Sequence, residues 1–224
     1  MEFIELIEVC KYYTIGDYQI IAVDDVSQHF DKNDFIHIQG MSGAGKTTLL
    51  NLIASIDKPT SGEIFIDGIQ TSVMKEDALA SWRAMNIGFI FQSFNLISTL
   101  TGRENIIFPA LCWEPNSPEI GARVDELLEL VGMSDRADHL PVQLSAGEQQ
   151  RIAIARALMN NPSVIVADEP TANLDAKNAE DILELFKNIT KSGEKTIIIA
   201  SHDERFSDIA TKRFIMDAGH LIEI

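Results

Sequence analysis

Residues Gly40-Met41-Ser42-Gly43-Ala44-Gly45-Lys46-Thr47 carry the first chemistry that residue types and spacing can specify. They fit the pattern G-x-x-x-x-G-K-[ST]. Glycines let a backbone turn tightly, so that consecutive N–H groups face one point and cradle phosphate oxygens. A helix starting at the end of the loop adds its positive N-terminal end. In such a loop Lys46 reaches the β- and γ-phosphates of a nucleoside triphosphate, the Thr47 hydroxyl ligates Mg²⁺, and Thr48 follows in the first helical turn. A second chemical segment, Val164-Ile165-Val166-Ala167-Asp168-Glu169, is an apolar run that ends in adjacent carboxylates. Ligands of parallel α/β sheets sit at such strand ends. An aspartate there holds Mg²⁺ in P-loop enzymes, which nominates Asp168 as a metal ligand. Glu169 is then placed to orient or deprotonate an attacking water.

These residues need elements to hold them. Asp34–Gln39 reads as a short strand running into the glycine loop, and Thr47–Ile56 as the helix leaving it. Phe3–Val9 and Ile20–Phe30 alternate in the strand manner, Glu63–Asp67 is a strand between glycines, and Ile87–Phe91 is a buried strand. From about 95 to 160 the period is helical: Val124, Leu127, Leu128 and Val131 mark one amphipathic helix, and Ile152, Ala155, Arg156 and Met159 another. Strand and helix then alternate again through Ile182, Leu185, Phe186 and Ile189, the strand Thr196–Ala200, and a terminal hairpin of Arg213–Met216 with His220–Ile224. This alternation predicts an α/β fold with a parallel-rich sheet covered on both faces, interrupted by a helical insertion.

Lysine and arginine total 18 and aspartate and glutamate 34, for a net charge of −16. That balance excludes a general nucleic-acid binder, which needs a basic face, and disfavours adsorption to an anionic membrane. Cys10 and Cys112 have no metal or redox spacing and read as free thiols of a reducing compartment. Met1–Val9 has no basic start and is not a secretory signal, and the apolar runs are too short to span a bilayer. A membrane role would therefore come through a partner. His29, His37, His139 and His220 belong to no motif and carry no assigned role.

Further segments add a resemblance. Leu144-Ser145-Ala146-Gly147-Glu148-Gln149-Gln150-Arg151 resembles the LSGGQ signature of ATP-binding-cassette (ABC) ATPases. Gln92 resembles that family's Q-loop glutamine, Ala172-Asn173-Leu174-Asp175 its D-loop, and His202 its switch histidine. The resemblance covers essentially the whole chain. It implies a P-loop NTPase of ABC type, 1–224 forming one ATPase domain, with an N-terminal antiparallel β subdomain and a helical subdomain inserted at about 93–160. It implies ATP and Mg²⁺ as cofactors, hydrolysis of ATP, and Gln92 as a further contact to Mg²⁺ and water. His202 would contact the γ-phosphate. Two cassettes would pair head to tail, with Ser145, Gly147 and Asp175 of one completing the site of the other. Tyr13 would stack on adenine, with Tyr12 and Tyr18 as rivals. Ser145 and Glu148 also form a helix-capping box, which by itself would account for both. The sequence departs from the family at Ala146, which replaces the first signature glycine, and at Glu148, which replaces the terminal glutamine.

The spacing from Tyr13 to Gly40, the run Leu52-Ile53-Ala54 to Gly62, and Gly88–Leu96 are similar to the LolD–MacB–FtsE group. That likeness implies a homodimer, cytoplasmic and peripheral on the inner face of the membrane, powering a separate permease or mechanotransmission protein in lipoprotein release, drug or peptide export, or an envelope process. The alternative is a regulatory ABC-type ATPase without a transport partner. The segment Phe94–Trp113 is expected to form a groove for a permease helix, with Phe94, Leu96, Ile97, Leu100 and Phe108 as apolar anchors.

Overall fold

The computed structural model describes residues 2–111, 117–191 and 193–224. Cys112, and the end of the segment reaching Trp113, lie outside the described residues. In chain order the elements are β1 (Glu2–Ile15), β2 (Tyr18–Asp31), β3 (Phe35–Gln39), α1 (Lys46–Ile53), β4 (Ser61–Ile66), β5 (Ile69–Gln70) and α2 (Glu76–Asn86). There follow β6 (Ile87–Ile90), α3 (Gly102–Leu111), α4 (Ile120–Leu130), α5 (Ala146–Leu158), β7 (Val164–Asp168), α6 (Ala176–Lys191), β8 (Thr196–Ala200), β9 (Lys212–Asp217) and β10 (His220–Glu223).

Two sheets result. One is antiparallel with order β2-β1-β4-β5, and the other has order β10-β9-β3-β8-β7-β6. In the second sheet β9, β3, β8, β7 and β6 run parallel, and β10 closes it as an antiparallel edge on β9. Strand residues alternate in direction, so each face of this sheet collects every second side chain. Ile36, Ile38, Val166, Ile198 and Ala200 pack with α1 and the antiparallel sheet in one core. Phe35, Ile165, Ala167, Ile197 and Ile199 pack with α3–α6 in the other. The helical insert therefore shares its core with the sheet. Burying each such Ile or Phe stabilises the fold by roughly 1.5–3 kcal/mol before conformational entropy is counted.

The structure departs from the sequence reading in several places. The N-terminal strands extend into a hairpin reaching Ile15 and Tyr18, because Tyr13↔Ile20 and Ile15↔Tyr18 continue the antiparallel register. The helix expected at 47–56 stops at Ile53; Ser55 turns to a positive φ of 56°. Residues 95–100 are not helical, and the helical middle reduces to α3, α4 and α5. Helix α2 was not foreseen: Leu79 is its one buried residue, so it shows no apolar stripe.

Candidate active site

The loop between β3 and α1 is shaped by glycines that no other residue could replace. Gly40 and Gly45 have φ of 147° and 108°, and a Cβ on either would collide with the backbone oxygens of Met216 and Ala22 respectively. The loop thus packs against β9 and β2 and opens at Met41, Ser42 and Gly43. Lys46 Nζ donates to Gly40 O at 2.6 Å and to Met41 O at 3.2 Å, which holds the ammonium inside the loop's curve. Ala44 is buried.

The loop opens into a cavity of about 570 Å³. Ser42, Gly43, Gly45, Lys46, Thr47, Thr48, Gln92, Asp168, Glu169 and His202 line it. Residues distant in the sequence meet here because β3, β7 and β8 are neighbours in the sheet, and all three end on the same side. Thr47 Oγ1 donates to Asp168 Oδ2 at 2.7 Å. Burial raises the Asp168 pKa above the usual carboxylate range, against the Thr47 hydrogen bond and the Lys46 charge. Glu169 Oε1 is 3.4 Å from His202 Nε2 and 4.0 Å from Lys46 Nζ, and the His202 backbone N–H donates to Glu169 Oε2 at 3.3 Å. Lys46 Nζ and His202 Nε2 are 3.3 Å apart.

The donor set suits a hard cation: one hydroxyl and one carboxylate oxygen, side by side, beside the glycine loop. Mg²⁺ takes few protein ligands and completes its shell with phosphate oxygens and water. Among the described residues no group of three or more His, Cys, Asp or Glu could hold a metal by itself.

The signature segment is elsewhere. None of residues 144–151 lines the cavity. Ser145 caps α5: its N–H and Oγ donate to Glu148 Oε2 at 2.8 and 2.9 Å, and its Oγ accepts from the Glu148 N–H. These bonds hold the Glu148 carboxyl below its ordinary pKa. Gly147 packs against Asn178 of α6, whose N–H and side-chain amide are in turn held by Asp175 at 2.9 and 2.7 Å. Asn178 thus links Gly147 to Asp175; neither of the two is on the cavity lining, although Leu174 and Ala176 on either side of Asp175 are.

Residues 23–172 match the ABC transporter family profile. The chain belongs to the ABC transporter family. It is 42% identical over 221 residues to an uncharacterised ABC transporter ATP-binding protein, MJ1508, of Methanocaldococcus jannaschii, covering 99% of this chain and 98% of that protein. It is 39% identical to the macrolide export ATP-binding/permease protein MacB of Mannheimia succiniciproducens, over all of this chain and 34% of that longer protein. Among solved structures it resembles the dimeric post-hydrolysis state of the ATP-binding cassette MJ0796 of Methanocaldococcus jannaschii, bound to ADP and Pi. The TM-score is 0.91 at 38% identity, with 97% of this chain and 96% of that chain covered. The fold is the ABC cassette fold, the activity is that of an ABC-type ATPase, and ATP and Mg²⁺ are its cofactors.

Several parts of this cassette's site were not singled out in the sequence. Ile20, Ile21 and Ala22 of β2 form an apolar wall of the cavity. Tyr13 is not on the lining; its register opposite Ile20 puts its ring on the same sheet face. Its hydroxyl donates to Asp57 Oδ2 at 3.0 Å, and Lys11 Nζ stands 5.1 Å from the ring centre. Tyr12 bonds Asp24 instead, and Tyr18 is exposed at the hairpin turn. Strand alternation flags Ile20–Ala22 as strand but cannot say which loop they overhang.

Proposed function

We propose that two copies of this cassette close head to tail over two MgATP and that hydrolysis drives a separate membrane permease from the cytoplasmic face. The single observation that carries this reading is the division of the site. Lys46, Thr47, Asp168, Glu169 and His202 share one cavity, while Ser145 and Gly147 lie outside it at the N-terminus of α5. One chain therefore surrounds a triphosphate on one side only. In this reading residues 40–48 bind the phosphates, Thr47, Asp168 and Gln92 hold Mg²⁺, and Tyr13 with Ile20 receives adenine. Mg²⁺ supplies charge neutralisation on the phosphate oxygens. Glu169 takes a proton from the attacking water, and His202 and Lys46 face the γ-phosphate. Ser145 and Gly147 of the second copy cover the other side, with Asp175 and Asn178 bracing Gly147 from below. Residues 1–224 act as one ATPase domain, with the insert at about 93–160 as its lever.

The permease side is a second depression of about 580 Å³ lined by Ala84, Phe89, Phe91, Ile97, Phe108 and Arg156, among others. Ile97 and Phe108 are anchors expected from sequence. Phe94, Leu96 and Leu100 are not on this lining; Leu96 packs instead against the core of the insert. No described helix is long and apolar enough to cross a membrane. A process such as lipoprotein release, drug or peptide export, or envelope control fits the likeness to MacB.

Mixing two inactive variants tests the head-to-tail site. Ser145→Arg blocks closure, and Lys46→Ala removes a phosphate contact. In a mixed dimer one site carries both defects and the other carries neither. Partial recovery of ATP hydrolysis on mixing is the expected result. No recovery between variants shown to pair, or turnover by a proven monomer, overturns the reading.

A further inference from the structure

His37 lies on β3, three residues before the phosphate loop, and is fully buried. Both of its ring nitrogens have partners. Nε2 is 3.1 Å from the Ser201 carbonyl oxygen, and Nδ1 is 2.9 Å from Ser207 Oγ. A carbonyl can only accept, so Nε2 carries the proton, and Nδ1 accepts from the Ser207 hydroxyl. The ring thus ties β3 to both ends of the turn that carries His202.

The Ser201 carbonyl and the His202 N–H belong to one peptide unit. That unit is planar and trans, so its C=O and N–H point in opposite directions and turn together. On one side the C=O accepts from His37; on the other the N–H donates to Glu169 Oε2 at 3.3 Å. The geometry points to His37 as a positioning residue for hydrolysis, which sets the Glu169 carboxylate through the Ser201–His202 peptide. This rests on Glu169 being the base, as proposed above. Ser207 supports it by fixing the ring's tautomer: without that donor Nδ1 can take the proton, and Nε2 would then meet the carbonyl with a lone pair. Ser201 is otherwise anchored at its N–H, which donates to Ile38 O at 3.1 Å, and at its Oγ, which accepts from the Asp203 N–H. Neither bond fixes the rotation of the following peptide plane.

His37→Leu, His37→Gln and Ser207→Ala, each alone and in a Glu169→Gln background, test this on the full chain. The measurements are kcat or single-turnover hydrolysis, ATP affinity and thermal midpoint. Misplacing a catalytic group by about 1 Å can cost about a hundredfold. His37→Leu is expected to lower kcat by about ten- to a hundredfold with ATP affinity unchanged, and Ser207→Ala by less. His37→Gln is expected to restore most of the rate, because its amide N–H stands as many bonds from the backbone as Nε2. In the Glu169→Gln background the same changes are expected to alter the residual rate by less than about twofold, since groups acting as a unit are not additive. Unchanged kcat in His37→Leu, or an equal fold loss in both backgrounds, overturns the proposal. If His37→Leu does not fold, Ser207→Ala is judged by the same two criteria. Full activity of Glu169→Gln alone would instead remove the base assignment, a separate result read from the single variant.

Discussion

Glu169 occupies an uncommon backbone position. Its φ is 46°, in the left-handed region that costs a non-glycine residue of order 1 kcal/mol. The strain is held by its N–H, which donates to Ala200 O at 2.8 Å, and by the His202 N–H on its carboxylate. This aims the side chain into the cavity beside Lys46 and His202. Glu169→Gln preserves that shape but removes the carboxylate proposed as the base. MgATP affinity is expected to persist while hydrolysis falls about a hundredfold or more. Wild-type turnover in the purified variant would take Glu169 out of the mechanism.

His37 also makes a prediction about pH. Burial pushes its pKa below the ordinary 6.5, with the Ser201 carbonyl and the Asp203 charge opposing and Arg213 adding to the shift. Between the folded value and about 6.5 the unfolded chain binds the extra proton, so stability rises with pH in that window. The contribution is complete above about 6.5 and is lost as pH falls toward the folded value. The urea midpoint of the wild type is expected to drop from about pH 7.5 to about pH 5.5, and that of His37→Gln to drop less steeply. Parallel curves would mean that His37 does not stay neutral when folded. His37 was illegible in the sequence because its partners Ser201 and Ser207 lie 164 and 170 residues away. The glycine loop between β3 and α1 was legible because its pattern is local, from Gly40 to Thr47.

At the scale of elements, α5 and α6 meet where the signature begins. A Cβ on Gly147 would strike the Asn178 side chain, which Asp175 pins from the start of α6. Gly147→Ala is therefore expected to destabilise the isolated chain by about 1–3 kcal/mol, as overpacking does. Asn178→Ala in the same chain is expected to return much of that loss, measured by urea unfolding so that any effect on the partner's phosphate does not enter. Independent, additive losses would show that the two residues do not touch. Strong periodicity made α4, α5 and α6 readable, since their apolar stripes face the core. Helix α2 was not, because its neighbours cover so little of it, and the pairing order of the parallel strands is not encoded in any one segment.

Across the whole molecule the charge is uneven. The chain carries −16, yet the depression between α2, β6 and α3 is lined by Arg83 and Arg156 and, among the described residues, by no carboxylate. Burial lowers the Arg156 pKa, and its NH2 group donates to Phe94 O at 2.8 Å, so this cation also anchors the loop after β6. That loop carries Gln92, which is on the cavity lining and whose backbone oxygen accepts from Asn173 Nδ2 at 2.9 Å. The groove and the cavity at the glycine loop are thus joined by a few residues of chain. An apolar helix bearing a carboxylate would suit the groove, and seating it would bear directly on Gln92. Filling the groove with Ala84→Trp is expected to leave the ATPase rate of the isolated cassette close to wild type and to abolish its stimulation by a co-expressed permease. A photo-crosslinker at Phe108 is expected to capture that permease. Capture from Tyr18 on the N-terminal hairpin, with none from Phe108, would move the docking surface to the antiparallel sheet and break the link from groove to Gln92.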